Sequence, residues 1–125
     1  MTVVVDTSIL IDVLRGKPVA AAVLRDARVG GPLHASDVTR LEVLAGMRRG
    51  EEESTRRLFG AFAWHPLDES IAELAGELGR RWLPGNRGVD SAHLAIAATA
   101  MALGARLITL NVKHFPMFGG LSAPY

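Results

Sequence analysis

The chain begins with a stretch that joins a strand to a helix, Val3-Val4-Val5-Asp6-Thr7-Ser8-Ile9-Leu10. Three consecutive β-branched residues are typical of a strand that is buried on both faces of a parallel sheet. The residues from 8 to 15 have the apolar spacing of a helix, and Gly16 is positioned to end it. Asp6 is therefore predicted at the carboxyl end of a strand, where parallel α/β sheets collect their functional groups.

The rest of the sequence alternates between predicted strands and helices. Further strands are predicted at 33–35, 64–67 and 106–110. Further helices are predicted at 18–29, from a cap at Ser36 or Asp37 to 49, in a segment carrying Leu58, Phe59 and Phe62, at 68–82 and at 90–103. One helical turn is expected in the tail. This alternation predicts a three-layer α/β fold with a mostly parallel central sheet flanked by helices, and residues 1–125 are expected to form a single domain.

The composition excludes several classes of protein. Hydrophobic residues make up 49% and charged residues 22% of the chain, which is typical of a folded domain rather than a disordered one. There is no cysteine, so disulfides and thiolate chemistry are excluded, and a reducing cytoplasm is the expected location. No apolar run approaches the ~20 residues that cross a bilayer, so no membrane association is expected. The net charge is only +1, although 12 of the 14 cationic residues are arginine.

Three acids and one amide are the candidate site residues: Asp6, Glu42, Asp90 and Asn111. Asp6 follows the first strand and Asn111 follows the last, so both are expected at the same edge of the sheet. Each has a simpler structural interpretation. Asp6 and Asp90 are suited to capping helices, Glu42 to a solvated helix face, and Asn111 to a turn.

Carboxylates that converge at one edge repel one another unless a cation neutralises them. Mg²⁺ prefers carboxylate oxygens, and such an ion can activate water and stabilise the charge that develops during phosphodiester cleavage. Thr7, Ser8 and Thr109 offer hydroxyls that can hold metal-bound water or substrate without adding charge. Spacing alone makes a metal site plausible at this edge.

Four segments together resemble the motifs of PIN domains, and specifically the VapC toxins of bacterial toxin–antitoxin pairs. The first is 5–12, the second is 36–46, and the third and fourth are Ala95-Ile96-Ala97-Ala98-Thr99-Ala100 and 107–115. Their order and spacing match over nearly the whole chain. The resemblance implies a PIN-like fold and an Mg²⁺- or Mn²⁺-dependent endoribonuclease. It also implies a small VapB-like antitoxin as the inhibiting partner and a homodimer as the usual assembly.

By the same resemblance, Asp6, Glu42 and Asp90 are expected to bind the metal ion, and Asn111 is expected to support them. One position departs from the family pattern. Many members carry the third acid three residues before the Ile of the Ile-Ala-Ala-Thr-Ala run, where this chain has His93. Asp90 lies one helical turn earlier and is the preferred third acid. The number and geometry of bound ions depend on that choice.

Three alternatives remain at this point. A PIN domain that binds RNA or its antitoxin without cutting accommodates the histidine at a family acid position. A phosphoacceptor receiver domain has a similar length but requires paired acids after the first strand, and only Asp6 is present there. A nucleotide-binding module is weaker still, because no glycine-rich phosphate loop follows the first strand.

Overall fold

Strands and helices alternate along the whole chain, and the computed structural model describes all residues 1–125. Numbered in chain order, the elements are β1 (Val3–Val5), α1 (Thr7–Leu14), α2 (Pro18–Val29), β2 (Leu33–Ser36), α3 (Asp37–Ala45), α4 (Glu52–Phe59), β3 (Phe62–His65), α5 (Glu69–Trp82), α6 (Ser91–Ala102) and β4 (Arg106–Ile108). A single 3₁₀ turn follows at Val112–His114, as the tail pattern predicts. None of the six helices combines the length and the apolar character of a membrane-spanning segment.

The four strands form one parallel sheet in the order β3-β2-β1-β4. Strand β1 is central, and its residue Val3 is in register with Leu33 of β2 and Arg106 of β4. All three residues of β1 are at most 2% exposed, because helices cover both faces of the sheet. The predicted α/β architecture is confirmed, and the sheet is parallel throughout.

Two apolar clusters fill the spaces on either side of the sheet. Helices α1 to α4 cover the face that carries Val3 and Val5, and Ile9 and Leu10 of α1 are fully buried there. Each such side chain stabilises the fold by roughly 1.5–3 kcal/mol. Helix α6 covers the opposite face, where Ile96 packs against Val4 and Phe115. The sheet and the helices that cover its two faces thus form the three layers.

Helix α5 packs against the outer side of α6. Residues 94–100 of α6 are all buried, and the Ala-rich sequence lets this helix lie close to both the sheet and α5. Gly79 of α5 is the point of close approach, since a Cβ placed there would lie 3.1 Å from the Leu94 side chain. This packing fixes the position at which α6 begins, close to the carboxyl ends of the strands.

Several predicted boundaries are wrong. Helix α3 ends at Ala45 rather than at 49, because Gly46 takes the C-cap position and its N–H donates to the Glu42 carbonyl. Helix α4 ends before Gly60, so Phe62 lies in β3 instead of the helix. Strand β4 ends at Ile108, two residues earlier than predicted.

Candidate active site

Asp6 is a buried carboxylate at the carboxyl end of β1. Its backbone N–H continues the sheet by donating to the Ile108 carbonyl at 2.9 Å. The residue is 2% exposed, and its Oδ2 accepts hydrogen bonds from Ser8 Oγ at 2.8 Å and Thr109 Oγ1 at 2.7 Å. Its side chain makes no capping bond to α1, although the residue occupies the N-cap position. The simpler interpretation of Asp6 as a helix cap is therefore wrong.

Glu42 reaches the same place from α3. The Thr7 hydroxyl donates to Glu42 Oε1 at 2.6 Å and lies 2.9 Å from the Thr39 hydroxyl. Thr39 is fully buried, and it lies three residues before Glu42 on the same face of α3. That spacing is the signal that could have identified Thr39 from the sequence. The Thr7 and Thr39 hydroxyls orient Glu42 toward the sheet edge.

The chain that follows β4 completes the rim of the site. Thr109 is fully buried, and the same Oγ1 that donates to Asp6 accepts the Asn111 N–H at 2.9 Å. The Leu110 N–H donates to Ser8 Oγ at 3.3 Å. Asn111 is itself exposed and lines the same cleft as Asp6 and Glu42. Asp6 and Asn111 thus share one sheet edge, as the parallel-strand argument predicts.

Asp90 lies at the start of α6 and acts as its N-cap. Its Oδ1 accepts the His93 N–H at 3.0 Å, while His93 Nδ1 accepts the Asp90 N–H at 3.3 Å, which completes a capping box. The Asp90 side chain is 64% exposed and does not line the acidic cleft. The structure therefore brings Asp6, Glu42 and Asn111 together and leaves the Asp90 carboxylate outside their cleft.

His93, and not Asp90, is the residue of α6 that lines the cleft. Its side chain is 15% exposed, and its ring packs 4.5 Å from the His114 ring and edge-on to Phe115 at 5.3 Å. Gly88 lies over His114 with a φ of +91°, and a Cβ there would approach His114 Nε2 to 2.8 Å. Only glycine suits that position. The loop before α6 thereby holds His114 against His93.

The cleft between these elements has a volume of about 350 Å³. Its walls carry three carboxylates and no lysine or arginine. Asp12 is the acid that the sequence interpretation missed as a site residue, and it lies four residues after Ser8 on the same face of α1. The complete lining is Asp6, Thr7, Ser8, Ile11, Asp12, Glu42, His93, Leu110 and Asn111.

The donor set of the cleft fits a hydrated divalent cation. Asp6 Oδ1 and Glu42 Oε2 make no hydrogen bond within the protein, because the observed bonds use Oδ2 and Oε1. Two carboxylate oxygens together with water satisfy Mg²⁺, which binds proteins through few direct ligands. No three Asp, Glu or His side chains are grouped closely enough to form a ready-made metal cage.

Comparison with known proteins agrees with this geometry. The PIN domain family matches residues 3–116, which include every residue that lines the cleft. The chain belongs to the PIN-domain family. Among relatives of this PIN domain, Ribonuclease VapC19 of Mycobacterium tuberculosis is 43% identical over 97% of this chain and 98% of its own length. Ribonuclease VapC10 of the same organism is 40% identical over 98% of this chain and 92% of its own length.

A solved structure gives the same fold for the PIN domain. A toxin–antitoxin complex from Klebsiella pneumoniae superposes with a TM-score of 0.80 and 28% identity, covering 99% of this chain and 98% of the matched chain. The resemblance inferred from the four motifs is therefore confirmed. The match also rules out the receiver-domain and nucleotide-module interpretations of the sequence.

Proposed function

We propose that this PIN domain is a metal-dependent endoribonuclease toxin that cuts cellular RNA and is inhibited by a small VapB-like antitoxin. The observation that carries the proposal is the pair formed by buried Asp6 and half-buried Glu42 in one cleft, within a chain related at 43% identity to a ribonuclease. RNA is the proposed substrate, and the cytoplasm, where such RNA is found, is the proposed location.

Asp6 and Glu42 are the proposed primary ligands of an Mg²⁺ or Mn²⁺ ion. When bound, the ion would supply Lewis-acid stabilisation of the phosphodiester and a more acidic water. Ser8 and Thr109 hold Asp6 in place, and Thr7 holds Glu42, so the carboxylates are positioned before any ion arrives. The Asn111 amide is suited to hold a water or a phosphate oxygen without adding charge.

Asp90 is proposed as the third acid, but it must first leave its capping position. Loss of an N-cap costs about 0.5–2 kcal/mol, and metal binding can offset such a cost. His93 already lines the cleft and is the competing candidate. The same histidine favours the second candidate function, a PIN domain that binds RNA or antitoxin without cutting, because an imidazole replaces a family carboxylate.

Purified protein, freed of antitoxin, distinguishes these two functions. It is incubated with total RNA in the presence of Mg²⁺, Mn²⁺ or EDTA, and the products are separated by size. We expect discrete fragments with either metal ion and intact RNA with EDTA. Binding of RNA without any fragments, under every metal condition, would instead support the non-cutting candidate.

An apolar groove between α1, α2 and α4 is the proposed docking site for the antitoxin. The groove measures about 350 Å³ and carries Arg25 and Arg28 at its edge, with apolar walls formed by Val13, Ala21, Leu24, Leu33, Leu58 and Ala61. An antitoxin that fills it is expected to extend an arginine into the acidic cleft, because a guanidinium pairs with carboxylates in a bidentate manner.

Exposed Ala21 provides the test of antitoxin docking, since a larger charged side chain there blocks the groove without disturbing the core. We expect Ala21→Glu to weaken antitoxin binding by at least about tenfold, as a desolvated charge costs well over 1.4 kcal/mol. Ala72→Glu, on exposed α5, is the matched control. Equal affinities for the two variants, measured by calorimetry, would exclude this groove.

The homodimer is proposed to form through the outer face of α3. Leu41 is 63% exposed and Leu44 is 46% exposed, and both lie on the helix that carries Glu42. Burying them against a second copy removes apolar surface from water. Light scattering should give the mass of a dimer for the wild type and of a monomer for Leu41→Glu. A monomeric wild type would contradict this assembly.

A further inference from the structure

Asp12 lines the acidic cleft, yet both of its carboxylate oxygens are already engaged. Oδ1 lies 3.3 Å from Lys17 Nζ, and Oδ2 accepts a hydrogen bond from the Tyr125 hydroxyl at 2.7 Å. The Asp12 side chain is only 13% exposed. Asp12 therefore differs from Asp6 and Glu42, each of which keeps one oxygen without a partner. Its carboxylate holds a cation and a phenol at the rim of the cleft.

Tyr125 reaches Asp12 from the far end of the chain. Residues 122 and 124 lie beside β4 and α2, so the tail passes along the open edge of the sheet before its last side chain meets α1. Burial and the neighbouring Asp12 carboxylate raise the pKa of the Tyr125 hydroxyl well above its usual range. The hydroxyl stays protonated at neutral pH and keeps donating to Asp12.

The exposed parts of the Tyr125 and Lys17 side chains are complementary to a nucleotide. Tyr125 remains 37% exposed even though its hydroxyl is bound, and the Lys17 side chain is 56% exposed. An aromatic face stacks on an unpaired base, and an ammonium attracts a phosphate. The cleft itself carries three acids and no lysine or arginine, so Lys17 supplies positive charge for an RNA strand at its border.

We propose that Tyr125 and Lys17 form a subsite for single-stranded RNA beside the acidic cleft, with a base stacked on the Tyr125 ring and a phosphate paired with Lys17. This subsite rests on the proposed ribonuclease function, because it binds the strand whose phosphodiester lies at Asp6 and Glu42. Duplex RNA is excluded from it, since its bases are already stacked in the helix. Both side chains contact Asp12, which brings them side by side at the rim of the cleft.

Binding is measured in an Asp6→Asn background without divalent metal, so that the probe is not cut. The probe is a short, fluorescein-labelled, single-stranded oligoadenylate, and fluorescence anisotropy gives its Kd. We expect Tyr125→Leu to weaken binding by about fivefold or more, the usual effect of losing a base-stacking ring. Tyr125→Phe and Tyr125→Trp keep the ring and should bind within about twofold of the parent protein, well inside that stacking loss.

Lys17 is tested through the salt dependence of the same Kd. Removal of one phosphate contact to a single strand lowers the slope of log Kd against log salt concentration by about 0.7. We expect that change for Lys17→Ala and no change for Arg80→Ala, an exposed cation on α5. A duplex of the same length should bind all variants equally. Thermal melting confirms that each variant is folded.

Four results would overturn the subsite. These are no measurable binding of the oligoadenylate by the parent protein, unchanged binding by Tyr125→Leu, equal losses in Tyr125→Leu and Tyr125→Phe, or an unchanged salt slope in Lys17→Ala. The equal losses would assign the effect to the hydroxyl instead of the ring. Failure of the proposed function gives a different result, because a protein that cuts no RNA can still show Tyr125-dependent binding. Conversely, metal-dependent RNA cleavage with an unchanged KM in Tyr125→Leu would support the proposed function and exclude the subsite.

Discussion

Replacement of Thr109 by valine should destabilise the protein through Asp6. The two side chains have nearly the same shape, so the change removes only the fully buried hydroxyl that donates to Asp6 Oδ2 at 2.7 Å. A hydrogen bond to a charged group contributes about 1.5–3 kcal/mol. The same hydroxyl accepts the Asn111 N–H at 2.9 Å, so valine also removes that acceptor. We therefore expect Thr109→Val to lower the free energy of unfolding by about 2–3 kcal/mol.

Chemical denaturation measures this cost, and Thr99→Val is the control. Thr99 is equally buried, but its hydroxyl donates to the Ala95 carbonyl of its own helix at 2.8 Å, so its loss should cost about 1 kcal/mol or less. In an Asp6→Asn background the cost of Thr109→Val should fall to about 0.5–1.5 kcal/mol, the value for a neutral bond. Equal stability of the two valine variants, or the same loss of unfolding free energy in both backgrounds, would show that Thr109 does not stabilise the protein through a charged Asp6.

Two further predictions concern histidines. Burial and the charge of nearby His65 lower the pKa of His34, whose Nδ1 lies 2.8 Å from His65 Nε2. Its contribution to stability is therefore complete above the unfolded pKa of about 6.5 and is lost as pH falls through the lower folded value. The melting temperature should decrease on acidification more steeply in the wild type than in His34→Gln, and parallel curves would contradict this. At the site, His93→Asp should increase cleavage with Mg²⁺ relative to Mn²⁺, because Mg²⁺ prefers oxygen ligands. If Asp90→Asn cuts RNA normally while His93→Ala is inactive, His93 rather than Asp90 is the third site residue.

The first strand and its acid could be predicted because the relevant information is local. Three adjacent β-branched residues predict a strand buried on both faces, and an acid directly after it lies at the functional edge of a parallel sheet. Asn111 could be placed by the same rule, since it follows β4, the neighbour of β1. The Asp6–Thr109 hydrogen bond joins residues 103 positions apart, and only the parallel pairing brings them together.

The third acid could not be assigned from spacing along the sequence. Asp90 and His93 share a helix face by spacing, but the cap geometry turns the first carboxylate back toward the His93 N–H. The residue one turn farther along therefore lines the cleft. Spacing predicts which residues share a face, whereas the choice between capping and facing the cleft depends on how α6 packs against β1 and α5.

Contacts between residues far apart in the sequence could not be predicted either. Asp12 belongs to the first motif, but its bond with Tyr125 spans 113 positions and depends on the path of the tail along β4. The hydrophobic periodicity of the sequence does not predict the course of the tail. The end of α4 was missed for a local reason, because Gly60 ends the helix two residues before Phe62, and a short edge strand then begins.

RNA cleavage by this PIN domain is proposed to require Asp6 and Glu42 acting together on one metal ion. The most direct measurement is the rate of RNA cleavage as Mn²⁺ is increased, for the wild type, Asp6→Asn, Glu42→Gln and the exposed control Glu69→Gln. We expect the control to match the wild type and the two site variants to lose activity by about a hundredfold or more, as expected when several kcal/mol of charge stabilisation are removed. Undiminished cleavage by a folded Asp6→Asn protein would contradict a metal site shared by Asp6 and Glu42.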